Sequence, residues 1–137
     1  MAIYRIHVAL LNIDPPIWRR IELSSQTTLR QFHRILQIAM GWTNSHLHEF
    51  LVGKQRYGIP DLTYDEPGEV IVEGKVHLSE LLPAARSQIS YAYDFGDNWQ
   101  HAVTLEEIVP AEPGVEYPRV LDGARSCPPE DCGGTSG

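Results

Sequence analysis

Only two cysteines, no long apolar run and a deficit of basic residues set the first limits on this chain. No segment approaches the roughly 18 consecutive apolar residues of a membrane helix, so no membrane association is expected. The opening Met1-Ala2-Ile3-Tyr4-Arg5 lacks the basic and then apolar regions of a secretory signal, which makes a cytoplasmic location the expectation. There Cys127 and Cys132 would meet a reducing environment that disfavours a disulfide between them. Basic residues number 11 against 18 acidic ones, for a formal net charge of −7. That balance weakens sequence-independent attraction to phosphate backbones, so no general nucleic-acid binding is expected. The nearest approach to a basic patch is Arg19, Arg20, Arg30 and Arg34, and the favoured reading of these is solvated charge opposite an apolar face. Also missing are a phosphate-binding loop, a dinucleotide glycine signature, a nucleophile elbow and the paired His-Glu motif of zinc proteases.

What is present fits one globular domain over residues 1–137, with 42% hydrophobic and 21% charged residues. Ile3 to Leu11 alternates with period two, placing Tyr4, Ile6, Val8 and Leu10 on one face and Arg5 and His7 on the other. Asp14-Pro15-Pro16 forces a turn. A second strand, Ile17 to Leu23, follows with Ile17, Arg19, Ile21 and Leu23 on one side. Leu29, Phe32, Ile35, Leu36 and Ala39 recur at helical spacing and predict a helix from Leu29 to Met40. Thr28 with Gln31 has the form of a capping box, and Gly41 is a terminator. His33 falls on the polar, solvated side of this helix. Ser45 to Val52 is extended, Val70-Ile71-Val72 is a weaker strand, and His77 to Leu82 is a short helix capped by Ser79 or a near neighbour. Tyr91, Tyr93 and Phe95 alternate along one strand, and Trp99, His101, Val103 and Leu105 along the next. Gly96-Asp97-Asn98 between them tolerates positive φ, which predicts a hairpin. Beyond Pro110 the periodicity fades. The fold class is therefore α+β: a mixed, mostly antiparallel sheet with one main amphipathic helix packed on one face.

Three polar clusters carry potential chemistry. In Ser45-His46-Leu47-His48-Glu49, a strand would set His46 and His48 on one face, close enough to ligate one ion; the alternative is two ordinary imidazoles at a strand start. The hairpin gathers Tyr93, Asp94, Asp97, Trp99 and His101, of which Asp97 is also explained by turn chemistry alone. Asp94 and His101 stand where one cross-strand side chain could orient the other. Cys127-Pro128-Pro129-Glu130-Asp131-Cys132 has zinc-ligand spacing, but it reads as well as a helix start with Glu130 and Asp131 near the positive end.

These segments, with Asp14-Pro15-Pro16-Ile17-Trp18-Arg19-Arg20 and Met40-Gly41-Trp42, resemble the plasmid pRiA4b ORF-3 family in five motifs in the same order. The resemblance implies a bacterial or archaeal α+β domain, carried on chromosomes, plasmids and transposons, whose activity is not established. Some members bear a label linking them to a transposon resolvase. Tyr4-Arg5-Ile6-His7 offers no nucleophilic serine among arginines of the kind serine resolvases need. In the family the double glycine leads on to a tyrosine and a further helix, so that helix is expected to be missing from this chain.

The function expected is a non-enzymatic module binding a ligand or a protein partner. The candidate cleft is Tyr93, Asp94, Asp97, Trp99, His101, Glu130 and Asp131, beside His46 and His48. The first alternative is a metal-dependent hydrolase or nuclease, with zinc or a related divalent ion held by members of the set His46, His48, Asp94, His101, Cys127 and Cys132. A DNA-recombination accessory factor is the second.

Overall fold

The structure, a computed structural model, describes residues 2–13, 16–43, 47–59, 70–94 and 98–124. The strands among them are β1 (Ala2–Leu10), β2 (Ile17–Ser24), β3 (His48–Val52), β4 (Gln55–Gly58), β5 (Val70–Val72), β6 (Gln88–Tyr93), β7 (Trp99–Pro110) and β8 (Arg119–Ala124). The helices are α1 (Leu29–Met40) and α2 (Leu78–Leu81), with a 3-10 turn at Glu73–Lys75. All eight strands join one sheet in the order β5-β4-β3-β6-β7-β1-β2-β8. Every neighbouring pair is antiparallel except β4 with β5, which is the mixed, mostly antiparallel sheet that period-two alternation predicts.

Alternation decides which side chains are buried. Tyr4, Ile6, Val8 and Leu10 of β1 join Ile17, Ile21 and Leu23 of β2 and Val103 and Leu105 of β7 in one core. Leu29, Phe32, Leu36 and Met40 of α1 enter the same core, and Phe32 stacks on Phe50 of β3 at 5.9 Å between ring centroids. Each such side chain contributes about 1.5–3 kcal/mol by leaving water. On the other side of β1 and β2, Arg5 reaches Glu22 and Glu107, while Arg119 reaches Glu22 at 2.7 Å. Burial pushes the Glu22 carboxyl up, but hydrogen bonds from Arg5 and Arg119 outweigh it and hold the group below its ordinary range.

Both ends of α1 are built as expected. The Thr28 hydroxyl accepts the Gln31 N–H at 3.2 Å, and the Gln31 side chain accepts the Thr28 N–H at 3.0 Å. At the far end Gly41 takes φ 81°, a left-handed conformation that costs little only without a Cβ. That turn lets the Trp42 N–H bond the Gln37 carbonyl at 2.8 Å and swings the indole back onto Tyr93 and Trp99.

Two strands escape the sequence reading. Gln55–Gly58 is short and mostly polar. Arg119–Ala124 lies in the Pro-rich stretch, where Val120 and Leu121 stay exposed because β8 is a sheet edge. The short helix is capped by His77, whose N–H is accepted by Glu80 at 2.6 Å. Among the described residues no helix is long and apolar enough to cross a membrane.

Candidate functional site

The helical stripe of α1 carries more than hydrocarbon. Four residues apart on a helix, His33 and Gln37 share a side, and both are buried, at 4% exposure each. This corrects the expectation that His33 is a solvated surface residue. The physical reason is a polar partner on the sheet: the Tyr91 hydroxyl of β6 lies 2.7 Å from His33 Nδ1 and accepts the Gln37 Nε2–H at 2.8 Å. Burial drives the Tyr91 phenol well above its usual range, so it keeps its proton. With Gln37 donating to the oxygen, the hydroxyl keeps both its proton and a second lone pair to meet His33 Nδ1 in either tautomer.

β3 adds His48 to the same layer. Its ring lies face to face with His33, centroids 3.4 Å apart and planes 7° from parallel. His48 Nε2 meets both oxygens of Glu73, at 2.8 and 3.1 Å. A carboxylate accepts, so Nε2 carries the hydrogen, and Nδ1 is the ring's remaining nitrogen. Glu73 begins the 3-10 turn after β5 and is 1% exposed. Four separate segments, α1, β3, β6 and this turn, thus bring Glu73, His48, His33, Tyr91 and Gln37 into one polar chain inside an apolar core. Above it, Arg30, His33, Arg34, His48, Ile59 and Glu73 line a cavity of about 210 Å³. Arg30 and Arg34 are exposed and one helical turn apart, so the solvated reading of these two arginines holds, but they stand at a cavity mouth.

The residues singled out from sequence are distributed differently. Tyr93, Trp99 and His101 are fully buried, and His48 and Asp94 nearly so. Trp99 stacks on Trp42 at 5.3 Å, and its Nε1 has no hydrogen-bond partner among the described residues. Asp94 has φ 59°, donates its backbone N–H to Leu47 O at 2.8 Å and accepts the Asn98 N–H on its carbonyl. His101 does not reach across to Asp94. Its Nδ1–H donates to Tyr91 O at 3.1 Å, and its Nε2 accepts the Trp42 indole N–H at 3.5 Å. Burial pushes its pKa down to about 4, which keeps the ring neutral. The structure therefore brings His48 and His101 to the same layer, but with the Tyr91 ring between them, at 6.1 and 5.1 Å. Among the described residues no three His, Cys, Asp or Glu side chains come together to hold an ion. His46, Asp97, Cys127, Glu130, Asp131 and Cys132 lie outside the described residues.

The buried aromatic residues of β6 and β7 are those of the motifs noted in the sequence, and comparison with known proteins agrees. The family model for plasmid pRiA4b ORF-3-like protein matches residues 2–137. The chain belongs to this family. A relative within reach of the pRiA4b ORF-3-like chain is the "Uncharacterized protein y4hQ" of Sinorhizobium fredii (strain NBRC 101917 / NGR234), 37% identical over 136 residues. The match covers 99% of this chain and 69% of that protein. The crystal structure of a protein of unknown function, MM3350 from Methanosarcina mazei Go1, superposes with a TM-score of 0.88 at 36% identity. It covers 98% of this chain and 76% of the other. These pRiA4b ORF-3-like relatives are described as uncharacterized or of unknown function, and the plasmid association is carried by the family's name.

His33, Gln37, Glu73 and Tyr91 are the members of this layer that motif reading missed. A signal existed for two of them, since His33 and Gln37 stand four apart beside the apolar stripe. For Glu73 no signal existed, because its partner His48 is 25 residues away.

Proposed function

We propose that this protein is a binding module for a small anion, seated in the cavity between the Arg30–Arg34 edge of α1 and the His48–Glu73 pair. We read α1 as lying across the inner face of the sheet, so that its arginine edge overhangs His48. The observation that carries the reading is the cavity's lining: two arginines at the mouth over a buried imidazole layer, in a protein whose net charge is −7. Guanidinium groups match carboxylate and phosphate geometry, and burial beneath them strengthens the attraction. Tyr93, Trp99 and His101 serve in this reading as the aromatic floor that holds Tyr91 in place.

Calorimetric titration with inorganic phosphate and with a small dicarboxylate tests the proposal. Saturable one-site binding of either, weakened at least tenfold in an Arg30→Gln/Arg34→Gln variant, is expected. Absence of heat for both anions at millimolar concentration would refute it. The metal-dependent alternative draws on His46, His48, Asp94, His101, Cys127 and Cys132, and elemental analysis of tag-free protein distinguishes it.

A further inference from the structure

We propose that the cavity is catalytic as well: the geometry points to a hydrolase of phosphate esters in which His48, positioned by Glu73, is the general base. The inference rests on the anion-binding reading of the same cavity and goes beyond it by assigning a reaction.

A buried carboxylate beside a buried imidazole is an expensive thing for a core to keep. Taking such charges and dipoles out of water commonly costs more than their attraction returns, and apolar residues of similar volume serve stability as well or better. Here Glu73 at 1% exposure and His48 at 6% sit where the core could have used hydrocarbon. Their arrangement is the one that general-base catalysis requires. Glu73 accepts the Nε2–H, which fixes the tautomer and leaves Nδ1 with its lone pair. Among the described residues no donor occupies His48 Nδ1, and the ring contributes to the cavity wall. The cofacial His33 ring at 3.4 Å holds the plane of His48, and the Tyr91–Gln37 bonds hold His33 in turn.

The neighbouring surface states what kind of ester fits. Arg34 also borders a second hollow, of about 370 Å³, with Gln37, Ile38, Trp42 and Thr43. Ile38 is 83% exposed there and shares the lining with Trp42. An anionic phosphoryl group between Arg30 and Arg34 would thus have an apolar or aromatic alcohol beyond it. In the reaction, water bonds to phosphorus while the phosphorus–oxygen bond to that alcohol breaks. His48 Nδ1 takes a proton from the water and later gives it up to solvent, while the departing alkoxide takes a proton from solvent on the opposite side of phosphorus, so no other reactant is needed. Arg30 and Arg34 balance the charge on the phosphoryl oxygens.

The experiment uses the full chain with two chromogenic probes, p-nitrophenyl phosphate and bis(p-nitrophenyl) phosphate. Saturable release of p-nitrophenol that co-elutes with the protein is expected for at least one of them. Glu73→Gln, which keeps size but removes the charge, should lower kcat about 10²-fold with KM within twofold, and Glu73→Asp should recover part of the loss. Arg34→Gln, at an exposed position, should raise KM while the thermal midpoint stays put. If phosphate binds by calorimetry but neither ester is turned over, catalysis is refuted and the binding reading stands. If neither binding nor turnover is found, both readings fall. A folded Glu73→Gln protein with parental kcat would overturn the role given to His48.

Discussion

Acidification from about pH 7 to about pH 5 should cost this fold about 2 kcal/mol through His101 alone. The ring is fully buried, with Nδ1–H on the Tyr91 carbonyl and Nε2 facing the Trp42 indole N–H, so a charged ring would be cut off from water. Burial accordingly holds the folded-state pKa at about 4, against 6.5 for an unperturbed histidine. At pH above 6.5 the ring is neutral in both states and its contribution is intact. As pH falls below 6.5 the unfolded chain takes up a proton that the folded one refuses, so stability declines until about pH 4. Each pH unit in that window is worth about 1.4 kcal/mol, which gives a full loss of about 3 kcal/mol and about 2 kcal/mol at pH 5. The upper part of the window is the informative one, because the depressed carboxyls of Glu22 and Glu106 add their own acid losses nearer pH 4. Urea unfolding at pH 7, 6 and 5 measures the slope, and His101→Asn supplies the comparison, since it keeps a donor for Tyr91 O but cannot titrate. The variant starts less stable, and its curve should be flatter by about 2 kcal/mol over the same range. A variant whose pH dependence parallels the parent's would refute the assignment to His101.

Two further outcomes follow from the same core and from the charge. Tyr91→Phe leaves the Gln37 amide and His33 Nδ1 without the hydroxyl that serves both, and should lower unfolding free energy by about 1–3 kcal/mol; equal stability in a urea melt would show that water replaces the phenol. With a net charge of −7 and only Arg30 and Arg34 at the cavity mouth, random duplex DNA should bind no tighter than micromolar at physiological salt, and sub-micromolar affinity by anisotropy would contradict this.

Much of the architecture was legible because it is periodic and local. Tyr4, Ile6, Val8 and Leu10 alternate in the sequence and are all buried in β1. Thr28, Gln31 and Gly41 mark the ends of α1 through contacts within a few residues. Tyr91 and Tyr93 face His101 and Trp99 in the register that a short hairpin imposes. β8 was not legible, because an edge strand exposes Val120 and Leu121 and carries no inward pattern; its pairing partner β2 lies nearly the whole chain away. The candidate site was legible only in part. The motifs pointed to His48 and to the Tyr93–His101 strand pair, but whether a helical histidine faces water or core depends on what the sheet offers opposite it. For His33 that is the Tyr91 hydroxyl, 58 residues on, and for His48 it is a carboxylate delivered by the turn after β5. Burial of a polar side chain is decided by its hydrogen-bond partner, and a partner so distant in sequence is chosen by tertiary structure alone.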